Sequence, residues 1–327
     1  MRPRAYHPIG GIPVRPPAWL RLPSVLLVVA AMTAWAVPGS AAVATRQHLT
    51  VPAVARATPS CAPTASSLRP TGPPQVTPGP FMAKIRTRGY LIAGVDQTNY
   101  HFGYLNPLHG NIEEGFDIDI VHAIAKAIFR NPNKVEFRAI SIAQTIPEVQ
   151  SGAVDIVARA MTINCARLQQ VDFSTVYYDA GQRVLVLKNS SVKSLADLGG
   201  KKVCATAGST SIANIKAAPS HPIPVALTSA IDCLVLLQQG DVAAISTDDA
   251  ILAGFVAQDP WTKIVGKPFT SEPYGLAISN QHPDFVRFVN AVLQQMRTDG
   301  EWAADYRHWV GTPGTPVPAP PLAKYKA

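Results

Sequence analysis

No acidic residue occurs before Asp96 in this 327-residue chain, whereas ten basic residues do: Arg2, Arg4, Arg15, Arg21, Arg46, Arg56, Arg69, Lys84, Arg86 and Arg88. The formal charge of +8 is therefore an N-terminal property: from Asp96 onward 19 basic residues (29 less 10) face 21 acidic ones. A nearly neutral body excludes a surface built to track phosphates, so no nucleic acid is expected as a partner. Aromatic residues are scarce at 7%, yet 47% hydrophobic content is enough to bury one or two sizeable cores. Cysteine is limited to four residues, none at the short CxxC spacing that structural zinc sites favour, so no metal is expected. Between the two chain ends there is no internal repeat and no low-complexity segment.

The longest N-terminal apolar run, Val25 to Val37, has 13 residues. That is short of the roughly 20 needed to span a bilayer. Arginines before it and the small residues Gly39-Ser-Ala-Ala-Val-Ala-Thr45 after it read as a signal peptide over 1–44, cleaved near Ala42 or Ala44; an uncleaved anchor is the competing reading. Export to the periplasm, cell envelope or medium follows. Residues 45–80, rich in Pro, Ala, Thr and Ser, read as a mobile tether, and 313–327 as a flexible tail.

The body alternates strand and helix patterns. Tyr90–Val95 is an apolar strand, Val135–Arg138 and Val154–Ala158 are further strands, and Ala143–Gln150 is a helix. In GFDIDIVHAIAKAIF, Gly115 to Phe129, the residues Phe116, Ile120, Val121, Ile124, Ala125 and Ile128 repeat at the spacing of one apolar helix face. Asp117 and Asp119 occupy its first turn, where carboxylates favour the positive end of the helix dipole. A second strand and helix series runs from Lys201 to Val265. The pattern predicts an α/β protein with parallel-rich sheets, which bind ligands at the carboxyl ends of their strands.

The order of residues in Gly115–Phe129, together with MTINCARLQQVDFS from Met161 to Ser174, resembles the family 3 extracellular solute-binding proteins. The closest form is the actinobacterial glutamine/glutamate-binding type, and the likeness runs from about Lys84 to Trp309. The resemblance implies a two-lobed, periplasmic-binding-protein-like clamp on two hinge strands, with lobe one over 81–184 and 271–312 and lobe two over 185–270. Arg183–Leu187 and Pro273–Ser279 would be the crossovers. It implies a monomer that captures a polar L-amino acid, without a cofactor, for an ABC permease or a membrane sensor. Many relatives carry a lipid-anchoring cysteine directly after the apolar run; here the first cysteine is Cys61.

A zwitterion removed from water needs a partner for each charge. By resemblance Arg167 takes the α-carboxylate as a bidentate fork, helped by Thr162 and the backbone of Ala160. Without the resemblance, Arg167 reads as a surface residue in a first helical turn and Thr162 as a cap. Ala207-Gly-Ser-Thr-Ser211 joins a strand to a helix, so Gly208, Ser209 and Thr210 are candidates for the same carboxylate, or form a plain N-cap. Asp248 matches the acceptor of the α-ammonium, with Asp249 beside it as a helix cap; the acid that relatives often place upstream is Ala243 here. Asp96 and Gln97 occupy positions used for the ligand's amino group or side chain, and Tyr100 and Phe102 form an apolar wall or belong to the core. Ile142 stands near where glutamine binders carry an aromatic. Arg159 would select a side-chain carboxylate, unless it points to the back of its lobe.

Four cysteines in an exported chain allow three pairings. In the lobe two that the resemblance implies, Cys204 and Cys233 flank one strand-helix-strand passage and are the expected pair, which leaves Cys61 with Cys165. Catalysis is the rival class, but no histidine can be assigned to Cys165 as a base, and His109 with Glu113 and Glu114 lacks paired ligand spacing. His122 reads as solvated. No residues remain after Val310 for the catalytic domain of a lytic transglycosylase, and Asp248, the acid a dehydratase would need, is committed to the ammonium. The expectation is a binding protein, not an enzyme.

Overall fold

The computed structural model describes residues 61–75 and 79–326. The expected signal peptide and the tether up to residue 60 lie outside the described residues. Among the described ones no helix is long and apolar enough to cross a membrane.

The first series comprises α1 (Pro80–Arg88), β1 (Leu91–Val95), β2 (Thr98–Asn99), β3 (Gly103–Asn106), β4 (Ile112–Glu114) and α2 (Phe116–Phe129). It continues with β5 (Val135–Ala139), α3 (Ile142–Ser151), β6 (Ile156–Ala158), α4 (Cys165–Leu168) and β7 (Asp172–Phe173). After β8 (Tyr178–Ala180) the second series holds β9 (Gln182–Leu187), β10 (Lys202–Thr206), α5 (Thr210–Ala217), β11 (Ile223–Leu227) and α6 (Ala230–Gln239). It ends with β12 (Ala244–Asp248), α7 (Asp249–Gln258) and β13 (Thr262–Val265). Then β14 (Glu272–Tyr274), β15 (Ala277–Ile278), α8 (Pro283–Asp299) and α9 (Glu301–Trp309) complete the body.

Two five-stranded sheets result, in the orders β5-β1-β6-β15-β7 and β11-β10-β12-β9-β13. Each has a parallel half, β1 with β5 and β6, and β10 with β11 and β12, closed by antiparallel strands. This is the two-lobed α/β clamp, and β8 pairing antiparallel with β14 forms a separate two-stranded ladder between the sheets. The crossover expected at Arg183–Leu187 is a correction. Those residues lie inside β9, paired with β12 and β13 in the second sheet. An unbroken apolar run suits a strand covered on both faces better than an exposed connection. Gln182, at its start, is fully buried.

The apolar face of α2 packs into the first core as its periodicity requires: Phe116, Ile120, Val121, Ile124, Ala125 and Ile128 are all buried. Phe285, Phe288, Val289, Val292 and Met296 of α8 share that core. Local signals set several boundaries. Ser141 and Gln144 form a reciprocal capping box on α3, and Gly152 ends that helix in the left-handed region. The β2-β3-β4 meander was not expected; its strands of two to four residues are too short to show a period.

The end of the supposed tether and the tail are also corrected. Ser67 and Leu68 are buried. The fully buried Asn290 of α8 donates to Ser67 Oγ and to the Leu68 carbonyl, each at 2.7 Å, and Ser67 Oγ donates to the Phe173 carbonyl at 2.6 Å. Ser67 bridges Tyr325 in parallel, and Lys326 N–H donates to the Ser67 carbonyl. Proline-rich composition signals little burial, but a buried asparagine requires partners, and this segment supplies them. Disulfides join Cys61 to Cys165 and Cys204 to Cys233, the expected pairing.

Candidate ligand-binding site

The carboxyl ends of β1, β6 and β12 and the N-terminus of α5 converge on a cavity of about 280 Å³ lined from both lobes. That volume lies near the lower end of small-molecule sites and suits a ligand of amino-acid size.

Lobe one contributes two guanidinium groups. Asn164 caps α4 by accepting from Arg167 N–H at 3.0 Å, which places the Arg167 side chain in the first turn, and its Nη1 donates to the Thr162 carbonyl at 2.6 Å. Burial pulls the Arg167 pKa below the usual arginine value, against the opposing pull of Glu272 and Asp248. Arg159 follows β6 and is largely buried. Its Nη2 donates to Asp96 Oδ2 at 2.8 Å while its Nε finds no partner. Asp96 Oδ1 accepts from both the N–H and the hydroxyl of Thr98, each at 2.8 Å, so the carboxylate is fixed in place.

Between these arginines Ala160 adopts φ +50°, rare for a residue with a side chain. Asp117 holds it there: Oδ2 accepts from Ala160 N–H at 2.6 Å and Oδ1 from the Tyr177 hydroxyl at 2.6 Å. Asp117 is fully buried, and burial raises its pKa to about 7. Its place in the first helical turn gave it a dipole role from sequence; its contact with Ala160 crosses 43 positions and was not visible.

From lobe two, Asp248 ends β12. The Tyr274 hydroxyl donates to Oδ2 at 2.6 Å, and Oδ1 is buried without a partner. Desolvation raises this carboxyl to a pKa of about 7. Asp249 beside it is not the helix cap expected: Asp248 itself stands at the N-cap position of α7, and Asp249, the first helical residue, accepts from Gly181 N–H and Ala250 N–H. At the start of α5 the Ser209 hydroxyl is committed to N-capping, accepting from Ile212 N–H at 3.2 Å and donating to the Thr206 carbonyl. The Thr210 hydroxyl donates instead to Glu272 Oε2.

Of the expected ligand-binding residues, Asp96, Gln97, Arg159, Ala160, Thr162, Arg167, Ser209, Thr210 and Asp248 line the cavity. Two do not. Tyr100 is 40% exposed and packs edge-on to His101 and Tyr104, so it forms no wall. Gly208 stands outside the lining at φ +78°, where a Cβ would come within 3.4 Å of Ile142 of the opposite lobe. Phe102 is wholly core, and Ile142 does line the cavity. Glu272, Thr247, Ile251 and Phe255 were missed; all but Glu272 lie on the cavity wall. The available signal for Glu272 was a lone carboxylate in an apolar extended segment. His109 pairs with Glu114, and among the described residues no cluster of three or more His, Cys, Asp or Glu could hold a metal ion.

Residues 91–312 match the bacterial extracellular solute-binding proteins, family 3. The chain belongs to that family. It is similar to the ABC transporter glutamine-binding protein GlnH of Bacillus subtilis, 37% identical over 230 residues, 70% of this chain and 84% of that protein. It is also similar to the glutamate/aspartate import solute-binding protein of Salmonella typhimurium, 30% identical over 250 residues, 73% of this chain and 82% of that protein. Among solved structures, an ancestral arginine-binding protein bound to glutamine aligns with TM-score 0.64 at 37% identity, covering 69% of this chain and 99% of its own. The solute receptor for L-cysteine of Neisseria gonorrhoeae aligns with TM-score 0.66 at 25% identity, covering 70% and 93%. These relatives share the clamp while their named ligands differ in side chain.

Proposed function

We propose that this protein captures a polar L-amino acid outside the cytoplasm and presents it to an ABC permease, with a carboxamide side chain preferred. The observation that carries the reading is the pairing of opposite charges across one cavity. Arg167 of lobe one meets the α-carboxylate, and the unpartnered Oδ1 of Asp248 in lobe two meets the α-ammonium. A ligand that bridges the two favours the closed clamp, since only contacts that differ between open and closed forms shift that equilibrium. In this reading residues 1–44 direct export, with tethering where they are retained, and the protein acts as a monomer without a cofactor or catalytic group.

The side chain falls against the Arg159–Asp96 pair. Arg159 donates and Asp96 accepts, which matches the carbonyl oxygen and amino group of a carboxamide, whereas a second carboxylate would face Asp96. The glutamine named for the Bacillus relative and for the ancestral structure agrees with this choice. Glutamate is the second reading, favoured by the free Nε of Arg159. Calorimetric titration of ligand-stripped protein with Gln, Asn, Glu, Asp, Arg and His decides. The expected order is Gln ahead of Glu; Glu or Asp ahead of the amides would make Arg159 a carboxylate selector, and no heat with any would overturn the reading.

A further inference from the structure

Glu272 opens β14, the strand that brings the chain back to lobe one, and is 3% exposed. Its Oε2 accepts from the Thr162 hydroxyl of lobe one at 2.8 Å and from the Thr210 hydroxyl of lobe two at 2.9 Å. Oε1 receives a longer bond, 3.4 Å, from Asn214 Nδ2 of α5. The carboxylate therefore holds the two hydroxyls that face each other across the cleft. A hydroxyl carries a single proton and otherwise only lone pairs, and an arriving carboxylate carries only lone pairs. While both protons point at Glu272, the hydroxyls present acceptors to the cavity, the wrong polarity for an anion.

We propose that Glu272 is an affinity-setting residue, an internal carboxylate that competes with the ligand's α-carboxylate for the Thr162 and Thr210 hydroxyls. The inference rests on the reading of those threonines as carboxylate donors. Its consequence is a penalty on binding: the ligand must turn both hydroxyls away from Glu272 before they can hold it, and Arg167 already lies in the field of that same charge. Such a device keeps affinity moderate, which suits a protein that must release what it captures. A hinge residue of purely structural importance would act in the opposite direction, because its loss would loosen the cleft and weaken binding.

The sign of the effect is the test. Titration with L-glutamine and L-glutamate is compared for the wild type, Glu272→Gln, Glu272→Ala, Thr162→Ala/Thr210→Ala, and the threonine double variant with Glu272→Gln added; circular dichroism verifies folding. Glu272→Gln keeps the shape and an accepting oxygen, and Glu272→Ala provides a second route. The expected result is binding about tenfold tighter, or more, in Glu272→Gln, with no gain when both threonines are absent. Unchanged or weaker binding in both Glu272 variants overturns the proposal, as does an equal gain without the threonines. Threonine variants that bind like the wild type would overturn the donor reading and the proposal with it. Weakened threonine variants with an inert Glu272→Gln would overturn the competition alone.

Discussion

Single side chains in this cleft are distinguished by what they leave unpaired. Asp248 Oδ1 and Arg159 Nε are buried without partners, and buried polar atoms ordinarily have one. Both lie where a polar ligand would complete them. Arg167→Ala removes the fork proposed for the α-carboxylate and is expected to abolish detectable binding of every amino acid in a titration panel, while the melting temperature shifts little. Asp96→Asn is expected to move preference from Gln toward Glu by roughly tenfold, since the acceptor facing the side chain is replaced by a group that can also donate. An unchanged Gln-to-Glu ratio in that variant would remove Asp96 from selection. That Arg167, Thr162 and Asp248 share one cavity was expected from the family resemblance of their segments; Arg167 lies in the short α4 and Asp248 at the end of β12, while Thr162 lies in the loop between β6 and α4. Tyr100 lies off the cavity lining, since aromatic character alone does not say which way a loop residue points, and the place of Glu272 was not legible because its partners lie 110 and 62 positions away.

At the level of elements, α4 is one turn long yet carries Arg167, so what surrounds it matters more than its own helical stability. Asn164 caps it from within the chain, and the Cys61–Cys165 bond ties its first residue to the segment packed against α8. With 104 positions between the two cysteines, the chain-entropy estimate for that bond is about 4–5 kcal/mol. Replacing both cysteines by serine is expected to lower the melting temperature and to speed hydrogen exchange around Ser67 and Leu68, while amides of β10 and β12 in lobe two stay protected. Uniform loss of protection across both lobes would contradict this local role. Asn290→Ala should destabilise by roughly 1–3 kcal/mol in denaturant titration, because it orphans the Leu68 carbonyl inside the core. The long elements were readable beforehand: α2 follows its apolar period from Phe116 to Phe129 without adjustment. The β2-β3-β4 meander and the β8–β14 ladder were not, since strands this short depend on their partners for existence.

For the molecule as a whole, pH is expected to act in opposite directions on folding and on binding. Burial raises Asp117, Asp248 and Asp305 from the ordinary carboxyl range to about 7 in the folded chain. A raised folded pKa contributes stability that is present below the unfolded value and is lost as pH rises through about 7. His101 and His282, pulled lower by burial, add little above pH 6.5. The ligand-free melting temperature should therefore fall between pH 6.5 and 8.5, by roughly 3 °C or more, and Asp117→Asn should flatten that slope. Affinity should do the reverse, since an ammonium needs Asp248 ionised: binding weakens as pH drops below about 7, and Asp248→Asn loses that dependence along with most of the affinity. Equal affinity at pH 5.5 and 8 would argue against Asp248 as the ammonium acceptor. The sequence by itself determined the alternation of strands and helices, the apolar faces that build the sheets and cores, and the motif residues at element ends, because those depend on periodicity and neighbours along the chain. Only the tertiary structure decided that Asp96 pairs with Arg159, that Glu272 joins Thr162 to Thr210, and that Ser67 and Leu68 pack on α8 and pair with the segment at Tyr325 and Lys326. Those contacts join positions remote in sequence, and burial rather than local propensity sets their energies.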